Sequence, residues 1–151
     1  MKAAERSDWR TTDLPSKRTT IALDRLFSLK DIEGIKLGLT PQEMEDKWFV
    51  YWEKDTLFFH RSWTGFCVFV VRFVIQGDSC RMVEADLNRD PEQYSETSNR
   101  RDAEMISYLI DALLLGRPAV FPSRVSGVKK KAIEMWAVVG RAMLGQRPNG
   151  E

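Results

Sequence analysis

Apolar and polar positions change their pattern at Trp48. Before it, Ile21 to Leu39 mixes apolar and charged residues without a clean helical or strand period. Within that stretch Ser28-Leu29-Lys30-Asp31 predicts the opening of a short helix, which Gly34 or Gly38 stops. Thr40-Pro41-Gln42-Glu43 predicts a second short helix: Thr40 can cap, Pro41 suits the first helical position and Glu43 can close a capping box. From Trp48 the chain becomes aromatic and β-branched, the composition of strands. Trp48 to Glu53, Leu57 to Trp63, Phe66 to Gln76 and Cys80 to Leu87 read as a four-stranded antiparallel meander. Lys54-Asp55-Thr56, Thr64-Gly65 and Gly77-Asp78 supply its turns. Asn88-Arg89-Asp90-Pro91 ends it, because proline cannot donate to a ladder.

Helical periodicity takes over afterwards. Thr97 or Ser98 caps a helix whose apolar stripe is Ile106, Leu109, Ile110, Leu113 and Leu114, and Gly116 and Pro118 close it. A second helix is predicted from about Val128 to Leu144, with Ile133, Trp136, Val139, Gly140 and Met143 on one face and Gly145 at its end. The expectation is one α+β domain over residues 20–145: the meander, two C-terminal helices packed on it, and a short N-terminal helical segment. Residues 1–19 are polar and read as a flexible arm with an anchor at Trp9; residues 146–151 read as a flexible tail.

Two-residue turns at Thr64-Gly65 and Gly77-Asp78 would set the register, since turn length decides which residues stand opposite. Arg61 would then face Val68, His60 would face Phe69, and Val71 would face Glu84. Leu57, Phe59, Arg61, Val68, Val70, Arg72 and Ala85 would share one face. Phe58, His60, Ser62, Phe69, Val71, Glu84 and Asp86 would share the other. Both faces are apolar near the middle, so both need cover: helices on one, the N-terminal segment on part of the other.

The polar exceptions on these strands carry the chemical information. His60, Arg61, Ser62, Arg72, Glu84 and Asp86 are the candidate ligand- or partner-binding residues. A charge in an apolar strand is either paired internally or lines a pocket. Glu84 with Arg72 and Arg81 as neighbours fits an internal salt bridge. Arg61 and Arg72 also fit an anion, with Glu84 or Asp86 acting on it. Ser62, His60 and Asp86 share the residue types of a hydrolase triad, but an intervening strand puts His60 and Asp86 roughly 9–10 Å apart. Direct hydrogen bonds of ~2.6–3.2 Å are what a triad requires.

Composition narrows the classes. The 151 residues are 43% hydrophobic and 30% charged, as in a folded globular chain, with net charge +1. Charge is uneven: residues 1–19, 20–115 and 116–151 carry five and three, eleven and seventeen, and seven and two basic and acidic residues. The basic last third, with Lys129-Lys130-Lys131, is either a solvated helix start or a surface for an acidic partner. Phe58, Phe69 and Phe73 lack the accompanying Lys/Arg ladder of a base-stacking sheet, so nucleic acid is not expected. No stretch of ~18 apolar residues predicts a membrane span, and Met1 to Thr20 lacks the apolar core of a signal peptide, so the expectation is cytoplasmic. Cys67, Cys80 and the lone His60 have no metal-ligand spacing, so no metal and no cofactor are expected, and the thiols are expected free. No phosphate loop and no dinucleotide fingerprint occur.

Trp48-Phe49-Val50-Tyr51-Trp52-Glu53, His60-Arg61-Ser62-Trp63-Thr64-Gly65 and Glu84-Ala85-Asp86-Leu87-Asn88-Arg89-Asp90-Pro91 together resemble a family of small bacterial proteins without an assigned activity. The resemblance spans about residues 40–116. It implies a stand-alone domain and transfers no catalytic residue. Small size and the lack of catalytic motifs, not the resemblance, make the expected function a non-enzymatic binding or interaction module of the bacterial cytoplasm with a protein partner, immunity- or antitoxin-like in one version. The alternative is a small enzyme or sensor acting on a phosphate-bearing, nucleotide-like ligand.

Overall fold

The computed structural model describes residues 2–140. Its order is β1 (Arg18–Ser28), α1 (Leu29–Leu37), β2 (Trp48–Glu53), β3 (Thr56–Arg61), β4 (Cys67–Gln76), β5 (Ser79–Asn88), α2 (Asn99–Leu109) and α3 (Val128–Val138). The fold is α+β, with one antiparallel sheet in the order β1-β5-β4-β3-β2. The meander is as expected, but the sheet has five strands rather than four. Arg18–Ser28 pairs with β5 at the edge. Its alternation is hard to read because only Ile21, Leu23 and Phe27 face the core, while Arg25, on the same side, is half-buried against Asp111. An edge strand with one wetted face shows a diluted period.

Three helices pack on one face rather than two. Ser28 caps α1 by accepting from the Asp31 N–H at 3.0 Å, and Gly38 ends it. Gly38 has φ 64°, and a Cβ there would lie 2.2 Å from the Val50 carbonyl oxygen, so both backbone and space demand glycine. The helix expected at Thr40 does not form: Asp46 accepts from the Gln42 and Glu43 N–H groups and closes a loop. Too few residues separate Pro41 from β2 for a helix to repay its nucleation. Ser98 caps α2, which continues as one π-helical turn, Ile110–Leu114, before Gly116.

The α3 face differs from expectation. Met135 and Val139 are buried, whereas Ile133 is 62% exposed and Trp136 also faces outward. The helix touches the core along a narrow stripe, so an apolar residue alone does not mark its inner side. Lys129 and Lys130 are exposed in its first turn. Met143, the expected end at Gly145 and the tail 146–151 lie outside the described residues.

The core between helices and sheet includes Trp48, Phe59, Phe69, Val71, Leu87, Ile106 and Leu109. Across the sheet, Phe49, Tyr51 and Phe58 form a second cluster with Ala4 and Trp9. The N-terminal segment lies on this face: Trp9 stacks on Phe49 at 6.3 Å, and its Nε1–H donates to the Ser62 carbonyl at 2.8 Å. Cys67 and Cys80 are buried and unpaired.

Two irregularities set the faces. The chain between β3 and β4 is longer than a two-residue turn, so His60 faces Cys67, and a register shift between His60 and Phe59 then puts Phe59 opposite Phe69. In the β4–β5 hairpin the Gly77-Asp78 turn does hold near its tip, where Gln76 faces Ser79 and Phe73 faces Met82. A bulge beyond Phe73 then puts Arg72 opposite Glu84 and Val71 opposite Ala85. Each one-residue slip reverses the face of everything past it.

Candidate functional site

That register keeps His60, Arg72, Glu84 and Asp86 on one face, where Asp86 lines the cavity beside His60, and puts Arg61 on the other. Arg72, Glu84 and Asp86 lie on the outer face with Thr20. Arg72 Nη1 and Nη2 donate to Asp86 Oδ2 and Oδ1, both at 2.8 Å, and Arg72 Nε donates to Glu84. Thr20 Oγ1 donates to Asp86 Oδ1 at 2.6 Å. The bidentate bond from Arg72 holds the Asp86 carboxyl down at about 2. The internal salt bridge expected for Glu84 is present, with Arg72 and not Arg81 as its cation.

His60 is buried beneath the N-terminal segment. Its Nδ1 lies 2.9 Å from the Gly65 carbonyl oxygen, which only accepts, so the proton sits on Nδ1. The ring stacks on Tyr51 at 5.7 Å. Burial lowers its pKa, and Nε2 has no hydrogen-bond partner among the described residues. A cavity of about 220 Å³ adjoins it, lined also by Cys67, Tyr51, Asp13 and Arg18. Burial pushes the Cys67 thiol up to about 12, so it stays protonated. Ser62 Oγ donates to the Asp46 carbonyl at 2.6 Å. Ser62, His60 and Asp86 thus each have other partners and make no triad.

Arg61 stands on the opposite face from His60, toward the helices. Its guanidinium lies 4.6 Å from the centre of the Trp48 ring. Nη1 donates to the Val138 carbonyl at 2.9 Å and Nη2 to that of Ala137 at 3.3 Å. These are carbonyls of the last turn of α3, the negative end of the helix. No carboxylate lies within ion-pair distance of Arg61 among the described residues. Burial therefore lowers its pKa to about 10.

Two adjoining clefts share Arg61 and Gln93. One, of about 330 Å³, is also lined by Trp48, Tyr94, Glu96, Arg101, Arg124 and Glu134. The other, of about 430 Å³, is also lined by Lys47, Trp63, Thr64 and Glu92. In the first the remaining charges are paired. Glu96 accepts from Arg101 at 3.0 Å and pairs with Arg124, and Glu134 accepts from Arg101 at 3.2 Å and from Ser123 Oγ at 2.6 Å. Burial pushes Glu96 up, but the Ser98 and Thr97 N–H groups and Arg101 outweigh it and hold the carboxyl low. Beneath, buried Asp102 accepts from the Tyr94 hydroxyl at 2.5 Å and lies 2.7 Å from Arg89 Nη1. Burial pushes Asp102 upward against those bonds.

The sequence pattern singles out Arg61 but misses its neighbours. Glu92 to Glu96 follow the end of the last strand and carry no period. Trp48 looks like one more strand aromatic. The one available signal is the polar cluster Asn88 to Asp90 immediately before Pro91. Chemically the clefts offer an anchoring cation on an aromatic floor, with hydroxyl and amide groups and no free imidazole or thiolate among the described residues. Compared with known proteins, the chain matches no family model, no curated protein and no solved structure.

Proposed function

We propose that the chain is a non-catalytic binding module of the bacterial cytoplasm, and that it recognises an anionic group at Arg61. One observation carries this reading: Arg61 lines both clefts without a carboxylate partner among the described residues, while Arg72, Arg101 and Arg124 are each neutralised. Desolvating a guanidinium is costly, and a phosphate or carboxylate would repay it with charge-assisted bonds to its remaining N–H groups. A small ligand suits clefts of this size, since ligand pockets usually run ~300–1,000 Å³. Absence of a membrane-crossing helix among the described residues agrees with a module that acts off the membrane.

The test is nuclear magnetic resonance of the Trp48 indole and Arg61 side-chain signals as sodium phosphate replaces sodium chloride at constant ionic strength. Saturable shifts at both, lost in Arg61→Met, are expected. Shifts that do not saturate, or that persist in Arg61→Met, would overturn the reading. A second reading, an acidic segment of a protein partner as in an immunity- or antitoxin-like role, is favoured by the exposed apolar rim: Met44 is 75% and Trp63 57% exposed.

A further inference from the structure

Trp63 is unusual among the exposed apolar residues because it is held at several points. Its Nε1–H donates to the Met44 carbonyl at 2.7 Å, and Lys47 Nζ lies 4.0 Å from its ring centre. Lys47 is itself buried and also lies 4.5 Å from the Trp136 ring. The Trp63 carbonyl accepts from Arg10 Nη2 at 2.9 Å. An indole fixed by its edge, by one face and by its backbone loses little freedom when a flat ring stacks on the rest, so it is preorganised for stacking. It lines the same cleft as Arg61.

The cleft's other groups suit what would lie between a ring and an anion. Thr64 Oγ1 accepts from the Phe66 N–H, which leaves its own proton to give. Gln93 Oε1 accepts from Asn88 Nδ2, which turns the Gln93 amide N–H groups free to donate. The Glu92 carboxylate, with no ion pair among the described residues, can accept from sugar hydroxyls.

Resting on the anion-binding reading of Arg61, we propose that the ligand is a mononucleotide, with its phosphate on Arg61, its base stacked on Trp63 and its sugar beside Glu92. Base stacking is a sequence-tolerant attraction that any aromatic platform supplies. A nucleic-acid strand fits less well, because Glu92, which has no ion pair among the described residues, lines the cleft and would repel a continuing phosphate backbone.

Calorimetric titration of the full chain with AMP, CMP, ribose 5-phosphate and adenosine tests this. Wild type should bind the two nucleotides roughly 5- to 150-fold tighter than ribose 5-phosphate, the factor that stacking one base supplies. Trp63→Ala should bring AMP down to the affinity of ribose 5-phosphate, and Trp63→Phe should keep most of the difference. Arg61→Met should lose all three phosphates. Thermal unfolding of each variant confirms that it folds. Ribose 5-phosphate binding as tightly as AMP and CMP, or a Trp63→Ala variant with unchanged AMP affinity, would overturn the nucleotide and leave the anion. Adenosine binding as tightly as AMP, or no phosphate compound binding at all, would overturn both.

Discussion

Arg61 and Trp48 converge on one acceptor. The Val138 carbonyl receives Arg61 Nη1 at 2.9 Å and Trp48 Nε1 at 2.8 Å, and the guanidinium lies over the indole that shares its acceptor. The two residues face each other across β2 and β3, so a single cross-strand pair clamps the end of α3 to the sheet. Breaking a buried ion pair strands a charge, but removing a cation bound to neutral carbonyls does not.

Arg61→Met should therefore change the unfolding free energy by less than about 1.5 kcal/mol, as lost hydrogen bonds and relieved desolvation offset each other. Urea unfolding of the variant beside wild type reads this directly. A loss of ~3–5 kcal/mol, the cost of splitting a buried ion pair, would mean that Arg61 has an anionic partner within the protein.

Asp86 predicts acid sensitivity. Its folded pKa, about 2, lies below the ordinary carboxylate value, so the Arg72 pair contributes stability that is present above pH ~4 and lost as pH falls toward 2. The contribution should be on the order of 1–2 kcal/mol, since Arg72 is partly exposed. Between pH 5 and pH 2.5 wild type should lose that much more stability than Asp86→Asn. Parallel pH curves for the two proteins would contradict the pairing.

His60 is the only histidine, so its imidazole signals need no assignment. Nitrogen-15 spectra should show the proton on Nδ1 and a titration midpoint below the ordinary histidine value of ~6.5. Because the unfolded chain takes up this proton first, His60 contributes stability above pH ~6.5 that declines as pH falls toward the folded pKa. A midpoint at or above 6.5 would mean that the N-terminal segment does not bury the ring.

Two glycines separate backbone strain from crowding. Gly77 has φ 61° and nothing within 4 Å of a built Cβ, so Gly77→Ala should cost only ~1–2 kcal/mol, the left-handed penalty. Gly38 has φ 64° with the Val50 carbonyl in the way, so Gly38→Ala should cost at least about 1 kcal/mol more. Equal costs in chemical denaturation would show that the loop after α1 yields freely.

The α+β class, the meander, the caps at Ser28 and Ser98, and the burial of Ile106, Leu109 and Ile110, though not of the half-buried Leu113 and Leu114, were legible because each depends on neighbours within a few residues. Strand composition, side-chain capping and helical period act locally, so they are written in the chain itself. The internal partner of Glu84 was legible in kind, as a salt bridge, since an apolar strand leaves a charge few alternatives.

What only tertiary structure decided depends on registers and on packing across distance. A longer turn after Arg61 together with a register shift between Phe59 and His60, and a bulge at Arg72, each leave the ladder displaced by one residue, and the side-chain period of two turns each such displacement into an exchange of faces. That exchange carries Arg72 from the face of Arg61 to the face of His60, where it meets Glu84 and Asp86, while His60, Glu84 and Asp86 share a face as expected. The edge strand β1 has its partner some sixty residues away, at β5, so its weak local pattern could not announce it. That Arg61 has no carboxylate partner among the described residues likewise belongs to no stretch of sequence: it follows from which helix end arrives over Trp48, and long-range packing alone sets that.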